Sequence, residues 1–193
     1  MTKLYCSTED IENYLTISIA VEFESQVEDW INGVSEYIKS ITNRDWLADS
    51  TESARTYDGN GMQSLEVDDF IGTPTVKTGD EYNQNMVART DFILYPYNTE
   101  HKNTLILQDD CFERGIQNVE VTAKWGFGAT VPNDIKHACT VITSAIVLAQ
   151  TNQDGEVESE KIGNYTVKYK SESHKADVES AMEMLNTRKV ILI

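Results

Sequence analysis

Val119-Glu-Val-Thr-Ala-Lys-Trp125-Gly-Phe-Gly128, followed by Ala129-Thr-Val-Pro132-Asn-Asp134 and a helix uncharged from Ala138 to Gln150, is the stretch on which the fold turns. Val119, Val121 and Ala123 alternate with Glu120, Thr122 and Lys124, the period of a strand with one buried face. Gly126 and Gly128 break that period and permit a sharp bend between aromatics. Pro132 suits a first helical turn, and Asn133 and Asp134 set polar and acidic groups near the positive end of a helix. Ile135, Ala138, Cys139, Ile142, Ala145, Ile146 and Ala149 then recur at the spacing of one continuous apolar stripe. No charge occurs between Ala138 and Gln153, so the back of this helix is also expected to meet protein. The run is shorter than the roughly 20 apolar residues a bilayer requires, and threonines, a serine and a glutamine interrupt it. It reads as a buried spine rather than a membrane span.

Working back from the spine, residues 53–125 read as a β-rich insertion. Arg55-Thr-Tyr57 leads into the turn sequence Asp58-Gly-Asn-Gly61, and strands are expected around Leu65–Val67, Thr75–Lys77, Asp91–Tyr95, Thr104–Gln108 and Val119–Lys124. The polar stretch Gly79–Ala88 reads as a mobile loop. Further back, Ser7-Thr-Glu-Asp10 caps a short helix carrying Ile11, Tyr14 and Leu15, and a break follows at Thr16–Ile19. Phe23, Val27, Trp30, Ile31, Val34, Ile38 and Ile41 form a second, longer stripe, which Asn43 can end in a left-handed conformation. Burying all seven would contribute on the order of 10–20 kcal/mol before chain entropy is set against it.

Beyond the spine, Tyr165, Val167 and Tyr169 alternate as one arm of a hairpin, and Val178, Ala181, Met182 and Leu185 mark a last amphipathic helix. The expected class is α+β: a helical core at 1–52 and 126–193, made of an N-terminal helix pair, the uncharged helix and a C-terminal helix, with the insertion at 53–125. A chain of 193 residues can bury roughly 70% of its unfolded surface and needs neither disulfide nor metal to hold together. Cys6, Cys111 and Cys139 fit no metal spacing and read as reduced, mostly buried thiols of a cytosolic protein. No basic-apolar signal segment opens the sequence.

The net charge is −16 and unevenly placed. Leu4 to Ile38 holds eight acids and no Lys or Arg, whereas Lys161 onward holds six bases and four acids. Such a body repels phosphate backbones and argues against DNA wrapping. The basic C-terminal arm suits an acidic neighbour, and the closing Val190-Ile-Leu-Ile193 is an aggregation liability unless it is covered. Its own core or a partner can do so, and the partner is the expectation.

Chemistry is sparse. No phosphate-binding or nucleophile-elbow motif is present. His101, His137 and His174 fall in separate elements. Asp58-Gly-Asn60-Gly starts like a calcium loop, but Met62 and Gln63 occupy the positions that need a ligand oxygen and a glycine. Asp68-Asp69 and Asp109-Asp110 read as turn caps, with a two-metal hydrolase as the rival.

Four segments in order resemble the head–tail connector (adaptor) proteins of tailed bacteriophages. They are Ile38-Lys-Ser-Ile-Thr-Asn43-Arg-Asp-Trp46; Arg55-Thr-Tyr-Asp-Gly-Asn-Gly61 with Leu65-Glu-Val-Asp-Asp-Phe70; Val121-Thr-Ala-Lys-Trp-Gly-Phe127 with Val131-Pro-Asn-Asp-Ile-Lys-His-Ala138; and Lys161-Ile-Gly-Asn-Tyr-Thr-Val-Lys-Tyr169. The resemblance implies a virion neck protein, assembled in the host cytoplasm, without enzymatic activity or cofactor. It implies a homo-oligomeric ring (a dodecamer in the virion) that sits beneath the portal protein, extends the DNA channel and docks a head-closure or tail-completion protein. Genomic DNA would pass without specific binding, and no membrane is involved. On this reading Met182, Leu185, Arg188, Lys189, Val190, Ile191, Leu192 and Ile193 are the expected partner interface, and Asp154, Glu156, Glu158 and Glu160 are expected to line the channel. Another neck protein, a metal-dependent hydrolase and an acidic DNA mimic stay open beside it.

Overall fold

A computed structural model describes residues 3–151, 159–162, 165–168 and 172–190; for 151, 159–162, 165–168 and 172–174 it describes the backbone alone. The chain forms two compact units, Met1–Arg44 with Val131–Ile193, and Asp45–Thr130. The fold is α+β: four helices and a six-stranded antiparallel sheet, with a separate two-stranded ribbon.

In the helical unit, α1 (Thr8–Leu15) begins at a reciprocal cap: the Asp10 N–H donates to Ser7 Oγ and the Ser7 N–H to the Asp10 carboxylate. Thr16, with φ 55°, ends it, and the Glu12 carboxylate accepts from the Ile19 N–H to hold the elbow that follows. Helix α2 (Val21–Thr42) buries Val27, Ile31, Val34, Ser35, Ile38 and Thr42 along one stripe. Asn43 closes it at φ 52°, as its tolerance of the left-handed region allows.

Helix α3 (Asn133–Thr151) packs against α1, α2, α4 (Glu172–Thr187) and strand β8 (Tyr165–Lys168), which pairs with β7 (Ser159–Ile162). Val141, Thr143 and Ser144 on its back are buried along with the stripe residues Ile135, Ala138, Cys139, Ile142, Ala145 and Ile146. The absence of charge is thus a packing requirement, since a lone charge in such surroundings would cost several kcal/mol. Helix α4 buries Val178, Ala181 and Leu185.

The long stripe on α2 is buried in only one half. Phe23 is 55% exposed and Val21 78%, while Trp30 and Ile41 are half-buried. The full stripe therefore does not join the core, and the burial expected from seven side chains falls to four.

In the sheet unit, β1 (Ser53–Gly59), β2 (Ser64–Asp80), β3 (Gln84–Arg89), β4 (Phe92–Tyr95), β5 (Lys102–Leu107) and β6 (Gly115–Trp125) lie in the order β1-β6-β2-β5-β4, with β3 beside β2. Strand β2 joins two segments that read separately in sequence. It bends at Gly72, φ +81°, where its register against β6 shifts between Ile71 and Thr75, so the punctuating Gly and Pro74 mark a bulge and not an end.

The expected loop Gly79–Ala88 is instead a hairpin. Lys77 and Thr78 pair with Ala88 and Val87, and Tyr82 and Asn83 take positive φ at the tip. Its polar composition reflects two exposed faces, which erase the alternation that would have announced strands.

The core gathers Leu65, Phe70, Val76, Leu105, Leu107, Phe112, Val119, Val121, Ala123 and Trp125. Residues 45–49 belong to this unit because their backbone pairs with the bend after β6: Ala48 N–H to Gly128 O, Asp49 N–H to Trp125 O and Phe127 N–H to Asp45 O, each 2.8 Å. At Gly126, φ +137°, a Cβ would stand 2.5 Å from the Ala48 Cα, so the close approach excludes any side chain.

Candidate interaction surfaces

Several of the residues that suggested chemistry are engaged in structural contacts. Asp68 accepts from Arg55 (2.6 Å) and from the Tyr57 hydroxyl (2.9 Å), while the Arg55 guanidinium lies 4.5 Å from the Trp125 ring centroid. Burial, with Asp68 beside it, pushes the Tyr57 phenol well above its ordinary range. Asp110 and Asp91 both accept from Arg89, at 2.8 and 2.7 Å, and that guanidinium holds each carboxyl below its usual value.

Asp58 accepts from the Gln117 N–H of β6, and Asn60 Oδ1 accepts from the Met62 N–H within the turn, so both side chains of the calcium-like sequence are already engaged. His101 stacks on Phe127 with centroids 4.2 Å apart, and His137 meets Tyr14 edge-on at 6.3 Å. The His174 side chain lies outside the described residues. Among the described residues no group of three or more His, Cys, Asp or Glu gathers to hold a metal ion. None of their helices is long and apolar enough to cross a membrane.

A hollow of about 280 Å³ in the sheet unit is lined by Asp80, Asn85, Arg89, Asp110, Glu113 and Asn118 among others. Arg89 is its one lining cation and already faces two carboxylates. An anion arriving there would have to displace one of them. The Asn118 side chain is likewise engaged, accepting from the Gly59 N–H (2.7 Å) and donating to Glu113 O (2.9 Å).

The other hollow is apolar, about 540 Å³, and lies in the helical unit where the elbow meets α2 and the end of α3. Ile17, Ile19, Phe23 and Trp30 line it with Val147 and Gln150. Of these, Ile17 and Phe23 stay open to solvent, as does Val21 at the start of α2. Glu22 and Glu24 stand in the same first turn, where the helix dipole favours them. A smaller set, Tyr82 with Ile116 and Val87, is exposed around the β3 hairpin, where the Tyr82 N–H bonds Ile116 O.

The expected C-terminal interface is divided. Leu185 is fully buried, on the stripe that it shares with Val178 and Ala181. Met182 is half-buried, and Arg188 and Lys189 are exposed. Arg188 reaches the Asp134 carboxylate at the start of α3. Val190 is tied by its backbone, its N–H to Thr42 O (2.9 Å) and its C=O to Asn43 Nδ2 (3.0 Å). Ile191, Leu192 and Ile193 lie outside the described residues, as do Asp154, Glu156, Glu158 and the side chain of Glu160.

The elbow was missed in sequence because Phe23 continues the α2 stripe in register. The usable signal was Val21, which lies off that stripe, together with Ile17 and Ile19 in a segment with no helical partner face.

No protein-family model matches the chain, and neither does any curated protein sequence. Solved structures do share its fold. A chain from the neck of an empty GTA particle computed with C6 symmetry is 13% identical, with a TM-score of 0.58 over 96% of this chain and 89% of that one. A chain from the virion of a native gene transfer agent particle is 12% identical, with a TM-score of 0.57 over the same shares. The α+β arrangement of this chain is therefore one found in neck and virion proteins of phage-like particles.

Proposed function

We propose that the chain is a structural neck protein of a phage-type particle: an adaptor that assembles as a ring beneath the portal protein, extends the DNA channel and docks the head-closure or tail-completion protein. The supporting observation is the likeness to a neck chain across 96% of its length. A ring needs heterologous contacts that close, so each copy must offer two different faces. The apolar elbow at Ile17, Val21 and Phe23 is one such face and takes the neighbouring copy.

Met182, Arg188, Lys189 and Val190, with Ile191, Leu192 and Ile193, face the portal. Asp154, Glu156, Glu158 and Glu160 turn toward the channel, where like charge keeps DNA sliding without specific binding. The role asks for no cofactor, membrane or catalytic group. The protein resides in the neck, and assembly takes place in the host cytoplasm.

Mixing the purified protein with portal rings and imaging the mixture by electron microscopy tests the reading. An added ring of density beneath the portal is expected; bare portals at saturating protein would overturn it. The double substitution Val21→Ser, Phe23→Ser should leave the far-ultraviolet circular dichroism unchanged and remove the added ring. Reversing Glu156, Glu158 and Glu160 to Lys should permit ring assembly and slow DNA ejection, and unaltered ejection would withdraw the channel assignment.

A further inference from the structure

Two of the three cysteines, 133 positions apart in sequence, meet in the helical unit with their sulfurs 3.3 Å apart. Cys6 stands just ahead of the α1 cap and Cys139 on the second turn of α3, and both are buried, whereas Cys111 is exposed. Around them the Ser35 hydroxyl donates to Ile31 O (2.7 Å), accepts from the Tyr5 N–H (3.0 Å) and lies 3.7 Å from the Cys139 sulfur. The segment carrying Cys6 is thereby fastened to α2 as well as facing α3. A contact of this kind is unlike two thiols that happen to share a core. A disulfide forms at about 2.05 Å, and the two sulfurs at 3.3 Å already face each other.

We propose that Cys6 and Cys139 are an oxidation site, converted by a peroxide into an intramolecular disulfide that pins the segment before α1 to α3. The Cys6 thiol donates toward Cys139, and that bond favours the thiolate on Cys139 while holding the proton on Cys6. When local opening of the unit admits peroxide to this buried pair, the Cys139 thiolate attacks one peroxide oxygen, giving a sulfenic acid and hydroxide. The Cys6 sulfur then attacks the sulfenic sulfur. The S–O bond breaks, the Cys6 proton and the displaced oxygen leave as water, and the proton released when Cys139 ionised neutralises the hydroxide. Two thiols and one hydrogen peroxide become one disulfide and two waters.

The bond closes a loop that contains the whole of Asp45–Thr130 in sequence, and cross-links over long loops restrict the unfolded chain most. A protein made in a reducing cell and then carried outside it would acquire this bond on release. That consequence rests on the neck reading; the chemistry does not.

The test uses the intact protein. Reduced native protein is treated with hydrogen peroxide, quenched, denatured and alkylated with N-ethylmaleimide, and its mass is measured. Three adducts are expected before oxidation and one, at Cys111, afterwards, with dithiothreitol restoring three. Peptide mapping should return Cys6 linked to Cys139, and the oxidised protein should melt about 5–15 °C higher. Cys111→Ser, which touches only an exposed thiol, should pass from two adducts to none. Retention of adducts at Cys6 and Cys139, a covalent dimer through Cys111 as the sole product, or sulfonic acid at either buried position would overturn the proposal. None of these outcomes bears on whether a ring forms under the portal.

Discussion

The two halves of α2 carry the same kind of side chain to opposite ends. From Val27 to Ile38 the stripe is sealed against its unit, with Ile31 and Ile38 wholly buried, whereas Val21 and Phe23 at the other end stand in solvent. Helical spacing says which residues share a face; it does not say how far along the helix a neighbour reaches. The length of the partner element decides that. Here, among the described residues, Val147 and Gln150 of α3 line the apolar hollow together with Phe23 and Trp30.

That contrast is open to direct attack. Ile38→Ala should destabilise the protein by about 2–5 kcal/mol, because it empties a filled site, measured as a shift in the urea midpoint. Ser35→Ala should cost less, about 1–3 kcal/mol, by removing the hydroxyl that accepts from the Tyr5 N–H, and protection of that amide against hydrogen exchange should fall with it. Asn43→Ala forces a Cβ-bearing residue without a polar side chain into the left-handed region and removes the bond to Val190 O. About 1 kcal/mol is expected, visible as a lower melting temperature. Phe23→Ser should change stability by less than about 0.5 kcal/mol. A large loss there would mean that the exposed half is covered by the chain itself, and the comparison would fail.

The smallest effect is electrostatic. Burial raises the Asp10 carboxyl, but hydrogen bonds from Lys136 and Ser7 outweigh it and leave the pKa below its ordinary value. The stabilisation is therefore complete above about pH 4, the unfolded value, and disappears as pH falls through the folded one. Asp10→Asn should melt below the parent at pH 7, and the gap should narrow as the pH is lowered below about 4. Its neighbour Tyr14, hydrogen-bonded to Asp177 at 3.0 Å, is pushed up to about 12 by burial and that carboxylate, and should stay protonated through the same titration.

Much of this could be read from the chain. The capped α1, the αL Asn43, the stretch of α3 without charge from Ala138 on and the bend at Gly126 all follow from local rules, because each is decided by residues within a turn or two. The β3 hairpin was hidden because both of its faces are wet. The elbow was hidden because an exposed Phe23 looks like a buried one when only spacing is visible. The meeting of Cys6 and Cys139 was hidden for a different reason. It depends on α1 and α3 lying side by side, a tertiary fact that no window of sequence contains.

Val190 has a mechanical consequence. Beyond the end of α4 the strand of chain is moored twice to the last turn of α2, and Arg188 is moored to the first turn of α3. Tension applied to whatever follows Val190 is thus delivered into the framework of the helical unit instead of being absorbed by slack chain. A tether built this way behaves as a strut, and anything that grasps it moves the body to which it is fixed.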